Sequence, residues 1–352
     1  MTARFLTAFL FMLFFSSSYA TLEECYHSGI DKDYEKVLEL CNPYLKTDAR
    51  ATGLLAEAYV QLDQGDKLAL EDAQWAVDFY EKNGAPTDEE GAKAYSYLVY
   101  LIGELYFFGA DGIKVDQQKG IEYIIKAANL GYAIAQGQLG NLYVRAGKVP
   151  GPNFAKAYKW YKLAIANGNL DSRSAFLVKN ERSFIEKYPY CISQGKTLIG
   201  DAYFKGQAGL PKSVDMAIKW YDMAYDVNDH IAPVEVGLAK AYIEKGDKKK
   251  AYRYAREAVT QPYAPGFVVM SELTNNKVAK YAYLSEAVEL YENPDLTYWN
   301  QFNEYCQPDI SDVGLKEAQQ KLSEIKLTKE EIALAKSEKD SLKSHWQSIQ
   351  AS

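Results

Sequence analysis

The chain is poor in the residues that build most active sites. It has three histidines, His27, His230 and His345, none near another in sequence and none in a His-Glu-x-x-His pair. Zinc sites of that kind, which need two imidazoles one helical turn apart, are not indicated. Its four cysteines never form Cys-x-x-Cys, so neither a zinc ribbon nor a thioredoxin-like redox pair is suggested. There is no Gly-x-Ser-x-Gly nucleophile elbow. Gly195-Lys196-Thr197 imitates the end of a phosphate-binding loop, but the earlier glycine that motif needs is replaced by Tyr190. No catalytic residue, metal or cofactor is therefore expected. A basic stripe is missing as well. The formal charge is -7 and the one basic run, Lys248 to Lys250, opens a helix, which argues against nucleic acid as a partner. Past residue 20 no apolar run reaches the roughly 18–20 residues of a membrane helix.

What is present begins with an export pattern. Arg4 precedes the apolar run Phe5 to Phe15, and Ser18-Tyr19-Ala20 fits the small-x-small cleavage rule. Cleavage is expected after Ala20. Thr21 follows rather than a cysteine, which closes the lipoprotein route, so the mature chain is expected in the periplasm or outside the cell. In an oxidising compartment an even number of cysteines invites disulfides. Cys25 with Cys41 is the local choice. With a turn near Ile30 and helix on both sides, the two would differ by about 8 Å in level at ~1.5 Å per residue. A bridge thus predicts a non-helical start. Cys191 and Cys306 form the other candidate pair, although several repeats separate them and a bridge needs Cα atoms within about 7 Å.

Self-comparison gives the strongest signal. Five stretches share one pattern: "LLAEAY" at Leu54, "LIGELY" at Leu101, "QLGNLY" at Gln138, "LIGDAY" at Leu198 and "GLAKAY" at Gly237. Each has a small residue third, namely Ala56, Gly103, Gly140, Gly200 and Ala239, and each ends in Tyr. The apolar spacing is helical. A glycine inside a helix costs about 0.5–1 kcal/mol relative to alanine, so its use here predicts a neighbouring helix packed too close for a side chain. A second helix follows each first one. The offset from the small residue to an aromatic is 19 for Trp75, 20 for Tyr123, Trp160 and Trp220, and 15 for Tyr254. Gly/Pro/Asp clusters such as "GADGIKVD" and "GQAGLPKS" separate the helices. Helical periodicity puts Ala157, Trp160, Tyr161 and Ala164 on one face, with Ala217, Trp220, Tyr221 and Ala224 matching them, and the Trp-Tyr pair reads as a packing wedge.

"LIGELYFFGADGIKVDQQKGIEYIIKAANLGYAIAQ", "QLGNLYVRAGKVPGPNFAKAYKWYKLAIANGNLDSR" and "LIGDAYFKGQAGLPKSVDMAIKWYDMAY" resemble Sel-one-like repeats, the longer-looped relatives of the tetratricopeptide repeat. "AYIEKGDKKKAYRYAREAV" resembles an ordinary tetratricopeptide unit. The resemblance implies an all-α fold, a right-handed α-solenoid of antiparallel helix pairs with some six units. It also implies a binding function on a concave surface formed by the first helices. The partner would be a protein, a peptide or an envelope polysaccharide, and the role a scaffold or adaptor of a bacterial cell envelope. A secreted effector that binds a host protein, a cell-wall-directed enzyme and a regulator of a cell-wall hydrolase stay open.

Along the chain, residues 21–49 read as an N-terminal half repeat, 50–292 as the array and 293–352 as a C-terminal helical cap. Thr328-x-x-Glu331 marks a capping box within that cap. The array carries an insertion at about 173–195, read either as a lengthened second helix with a loop or as a lip on one face. Of the 29 tyrosines, those at the repeated position are explained by the pattern. Tyr95, Tyr97 and Tyr100, with Phe184, Tyr188 and Tyr190 of the insertion, are extra. They are either core filling or a partner-binding surface, because interface hot spots favour aromatics.

Overall fold

The computed structural model describes residues 21–145, 153–169, 179–227, 231–293, 306 and 312–350. The export segment, the first part of the insertion, His230 and most of the stretch around Cys306 lie outside them. All regular secondary structure among the described residues is helical, apart from one bridge between Ala110 and Ile113. No helix there is long and apolar enough to cross a membrane. The chain is an all-α repeat solenoid. Its contacts divide it into two compact units, the first reaching residue 98 and taking in 110–113, the second made of the rest.

The first unit opens with α1 (Leu22–Ile30) and α2 (Tyr34–Cys41). Thr21 and Glu24 cap α1 reciprocally, side chain to backbone in both directions. The start is therefore helical, and the non-helical start predicted above is wrong. Cys25 and Cys41 are nevertheless bridged, with Cα atoms 4.9 Å apart. The turn falls at Lys32, in the left-handed region at φ 56°, not at Ile30. Moving it two residues brings the helical levels to within about 3 Å at ~1.5 Å per residue. The bridge sits in a core with Val37, Ala51 and Leu55. The first full pair, α3 (Ala49–Gln61) and α4 (Asp66–Asn83), packs behind it.

From α5 (Glu89–Phe108) and α6 (Gln117–Asn129) onward the pairs repeat: α7 (Ala133–Val144) with α8 (Phe154–Ala166), α10 (Pro189–Lys205) with α11 (Val214–Tyr225), α12 (Ala232–Glu244) with α13 (Lys248–Ala258), and α14 (Ala264–Leu273) with α15 (Lys277–Glu292). The short α9 (Glu181–Lys187) interrupts the series.

The repeated tyrosine closes each loop the same way. The carbonyl of Tyr106 accepts from the Asp116 N–H at 2.8 Å, that of Tyr143 from Asn153 at 2.8 Å and that of Tyr203 from Ser213 at 2.8 Å. Asp116, Asn153 and Ser213 are then the N-caps of α6, α8 and α11. In two of these units a lysine of the next helix lies over the tyrosine ring, Lys119 at 4.0 Å from Tyr106 and Lys156 at 5.3 Å from Tyr143. Lys250 does the same 4.8 Å from Tyr242 in the short unit. One residue type at one position thus ends a helix, starts the next and seats a cation.

The insertion does not lengthen the second helix, contrary to one reading above. α8 stops at Ala166, where Gly168 takes φ 93° and its N–H caps Ile165. The residues Pro189 to Gly195 instead extend the first helix of the next unit, α10. At the far end α16 (Asp312–Ser323) and α17 (Lys329–Gln350) pack on α15. Thr328 and Glu331 cap α17 reciprocally at 2.8 and 3.3 Å. Trp346 is buried in the core of the second unit, and Lys339 pairs with Glu289 at 2.6 Å. α17 is therefore a docked helix and not a free coiled-coil arm.

Candidate functional site

All five small residues are buried. At two of the three glycines the crowding side chain is not the tryptophan but the residue after it. A Cβ on Gly140 would lie 2.5 Å from the Tyr161 ring, and one on Gly200 2.5 Å from the Tyr221 ring. At Gly103 the same position holds Ile124, 2.9 Å away. Tyr161 and Tyr221 are almost fully buried, and each hydroxyl bonds back to the first helix, to Asn141 at 2.9 Å and to Asp201 at 2.7 Å. Trp160 is also buried, and Tyr254 nearly so, but Trp75, Tyr123 and Trp220 are only half-buried. The wedge is therefore the second aromatic of the Trp-Tyr pair, with the tryptophan position flanking it. Tyr221 serves two units at once, since a Cβ on Gly237 of α12 would come within 2.6 Å of the same ring.

This close approach sets the first helices α10, α12 and α14 side by side. On that layer lies a groove of about 320 Å³. α10 contributes Gln194, Thr197, Leu198, Asp201, Phe204 and Lys205. α12 contributes Pro233, Val236, Gly237 and Lys240, and Tyr263 and Pro265 close one end. Lys156, at the start of α8, and Tyr221 complete the wall. The lining mixes apolar side chains with amide, hydroxyl and ammonium groups. Asp201 is its one carboxylate and already accepts the Tyr221 hydroxyl. The oxygen Oε1 of the buried Gln194 accepts no hydrogen bond.

Apart from Thr197 of the Gly195-Lys196-Thr197 stretch, no motif marks these residues in the sequence. They stand at −3, +1 and +4 from the repeated small residue: Thr197, Asp201 and Phe204 around Gly200, with Val236 and Lys240 around Ala239. Had the small residue been taken as the inward face, this spacing would have marked the opposite edge as outward.

The aromatics nominated as a binding surface are placed elsewhere. Tyr95 is buried, its ring edge-on to Tyr80 at 5.4 Å, and so offers no surface to a partner. Tyr97 is half-buried, and Tyr100 packs on Tyr132 with ring centroids 5.0 Å apart. Tyr188 lies 5.3 Å from Phe154, and Tyr190 packs into the same core as Cys191. Burial pushes the Tyr190 hydroxyl well above its ordinary range. Both tyrosines are partly buried against the core that holds the Cys191–Cys306 bridge, whose Cα atoms are 5.2 Å apart. Phe184 is half-buried on α9.

α9 itself is held by charge. Glu181 accepts from Lys162 at 2.6 Å and from the Tyr158 hydroxyl at 2.6 Å, with Lys196 of the "GKT" stretch 3.4 Å away. Lys196 thus serves an ion pair and not a phosphate loop. A second cavity, about 260 Å³, lies in the first unit beside Tyr26, Phe79 and Tyr80. Its cation is internal: Arg50 stacks 4.4 Å over Tyr26 and pairs with Glu90 at 2.8 Å.

Against known families, the Sel1 repeat model matches residues 96–132, 133–169, 194–229 and 236–263. No curated protein matches the chain. Among solved structures, a Sel1 repeat protein from Oxalobacter formigenes is 16% identical, with 87% of this chain and 98% of that one covered at a TM-score of 0.33. The protective antigen c5321 of uropathogenic Escherichia coli, which displays an SLR fold, is 16% identical, with 94% and 97% covered at a TM-score of 0.26.

Proposed function

We propose, since this chain carries Sel1 repeats and such repeats generally mediate protein–protein interaction, that it is an exported scaffold or adaptor of a bacterial cell envelope. It holds a partner protein in the groove on α10, α12 and α14. The groove is the observation that supports the reading. It is built on the first helices of consecutive repeats and mixes apolar with polar lining. Export is supported by the charged, apolar and small-residue pattern of residues 1–20 and by two disulfides, which persist in oxidising compartments.

Two measurements test this. N-terminal sequencing of the fractionated protein should find Thr21 as the first residue, in periplasmic fluid or in the medium. A photo-crosslinking residue at Val236, inside the groove, should capture a defined protein in intact cells. The same residue at Lys219, exposed on α11, should not. Equal capture from both positions, or a cytoplasmic uncleaved chain, would discard the proposal.

A further inference from the structure

Some lysines on the second unit's helical surface are neutralised in place. Lys212 pairs with Glu244 at 2.9 Å, Lys245 with Asp215 at 2.5 Å and Lys321 with both Glu272 and Glu317. Three lysines line the groove. Lys205 and Lys240 are exposed, and their side chains form no ion pair or hydrogen bond among the described residues. Lys240 feels Glu317 without touching it. Lys156 brings a third ammonium, stacked on Tyr143. The one carboxylate in the lining, Asp201, is engaged by Tyr221. In a protein of net charge -7 the groove thus gathers three lysines around one carboxylate that is already engaged, and low-dielectric walls focus the field of such a cluster.

We propose that the groove takes a short acidic segment of the partner protein, its carboxylates meeting Lys205 and Lys240 and its apolar side chains meeting Leu198, Phe204 and Val236. The inference rests on the groove being the binding surface. A polypeptide fits better than a compact anion for two reasons. Apolar and cationic groups are mixed along the lining, which suits side chains of both kinds on one chain. Asp201 also stands among the lysines, where it would repel a compact polyanion, whereas carboxylates spaced along a peptide can stand clear of it.

The test uses the mature, oxidised full chain and fluorescent peptides of matched apolar content carrying Glu, Gln or Lys at alternating positions. Anisotropy should show binding of the Glu series, weakening as salt rises. Lys205→Glu combined with Lys240→Glu should reduce it by about tenfold or more, as expected for reversing charges that face a charged partner. Both lysines are exposed, so the variant should keep its melting curve. Binding of all three series alike, no binding of the Glu series, or full binding by the charge-reversed protein would overturn the inference. So would competition by inorganic phosphate as strong as that by unlabelled Glu peptide. A groove plug, Leu198→Trp, separates this from the broader reading. If the plug abolishes binding of every series equally, the groove stands and the acidic preference falls. If binding survives in a folded plug variant, the groove itself is not the site.

Discussion

At the residue scale, the Trp-Tyr pair shows how far periodicity reaches. Adjacent residues on a helix are about 100° apart, so both fall on one broad apolar face. The sequence therefore marks the face but not which ring enters the neighbouring helix. The crossing of the helices decides that, and it selects Tyr161 and Tyr221 against Gly140 and Gly200. The two tryptophans, equivalent in sequence, diverge. Trp160 is 5% exposed, while Trp220 is half-buried. Trp160→Ala should cost about 3–5 kcal/mol, as for a buried large aromatic. Trp220→Ala should cost about 1–2 kcal/mol, in proportion to the smaller area covered. Urea melts of the two variants measure this, and equal losses would contradict the assignment.

At the scale of elements, α9 is the piece the repeat pattern does not explain, and Glu181 is what fastens it. Burial raises the Glu181 carboxyl. The hydrogen bonds from Lys162 and Tyr158, with the charges of Lys162 and Lys196, outweigh burial and hold it below its ordinary value of 4.5. A carboxyl depressed in the folded state stabilises the fold above its unfolded value, and that stability is lost as pH falls through the folded value. Glu181→Gln should therefore cost about 1–3 kcal/mol at neutral pH, since it leaves buried donors without their anion. The gap between variant and parent should close in acid, below that ordinary value. Melting curves across this range check it, and a gap independent of pH would refute it. How well the sequence specifies an element depends on the range of the signal. The capping box at Thr328 was visible because it is written in four consecutive residues. The turn at Lys32 was misplaced because no glycine or proline marks it.

For the whole molecule, the cysteines matter most. Cys25–Cys41 closes a short loop inside the first unit, while Cys191–Cys306 spans 115 residues. Loop-closure entropy gives about 3 kcal/mol for the first and about 4–5 kcal/mol for the second. Cys306→Ser should thus destabilise the second unit more than Cys25→Ser destabilises the first. Because repeat arrays sum local and neighbour terms, each loss should appear in its own unit. Hydrogen exchange resolved by segment would measure both, and identical losses throughout the chain would show that the disulfides do not act locally. Reduction by dithiothreitol should reproduce both effects.

The helix pairs, the small residues between them and the tyrosine repeated in each first helix follow from the sequence alone. Each depends on spacing within a few turns, where apolar period, glycine and N-cap residues act locally. The groove does not. Lys205 and Lys240 lie in different repeats, and nothing in either stretch marks its charge as unpaired. Only the packing of Tyr221 against both Gly200 and Gly237 brings α10 and α12 together. That packing leaves the Lys205 and Lys240 ammonium groups facing one cavity, with no ion pair among the described residues.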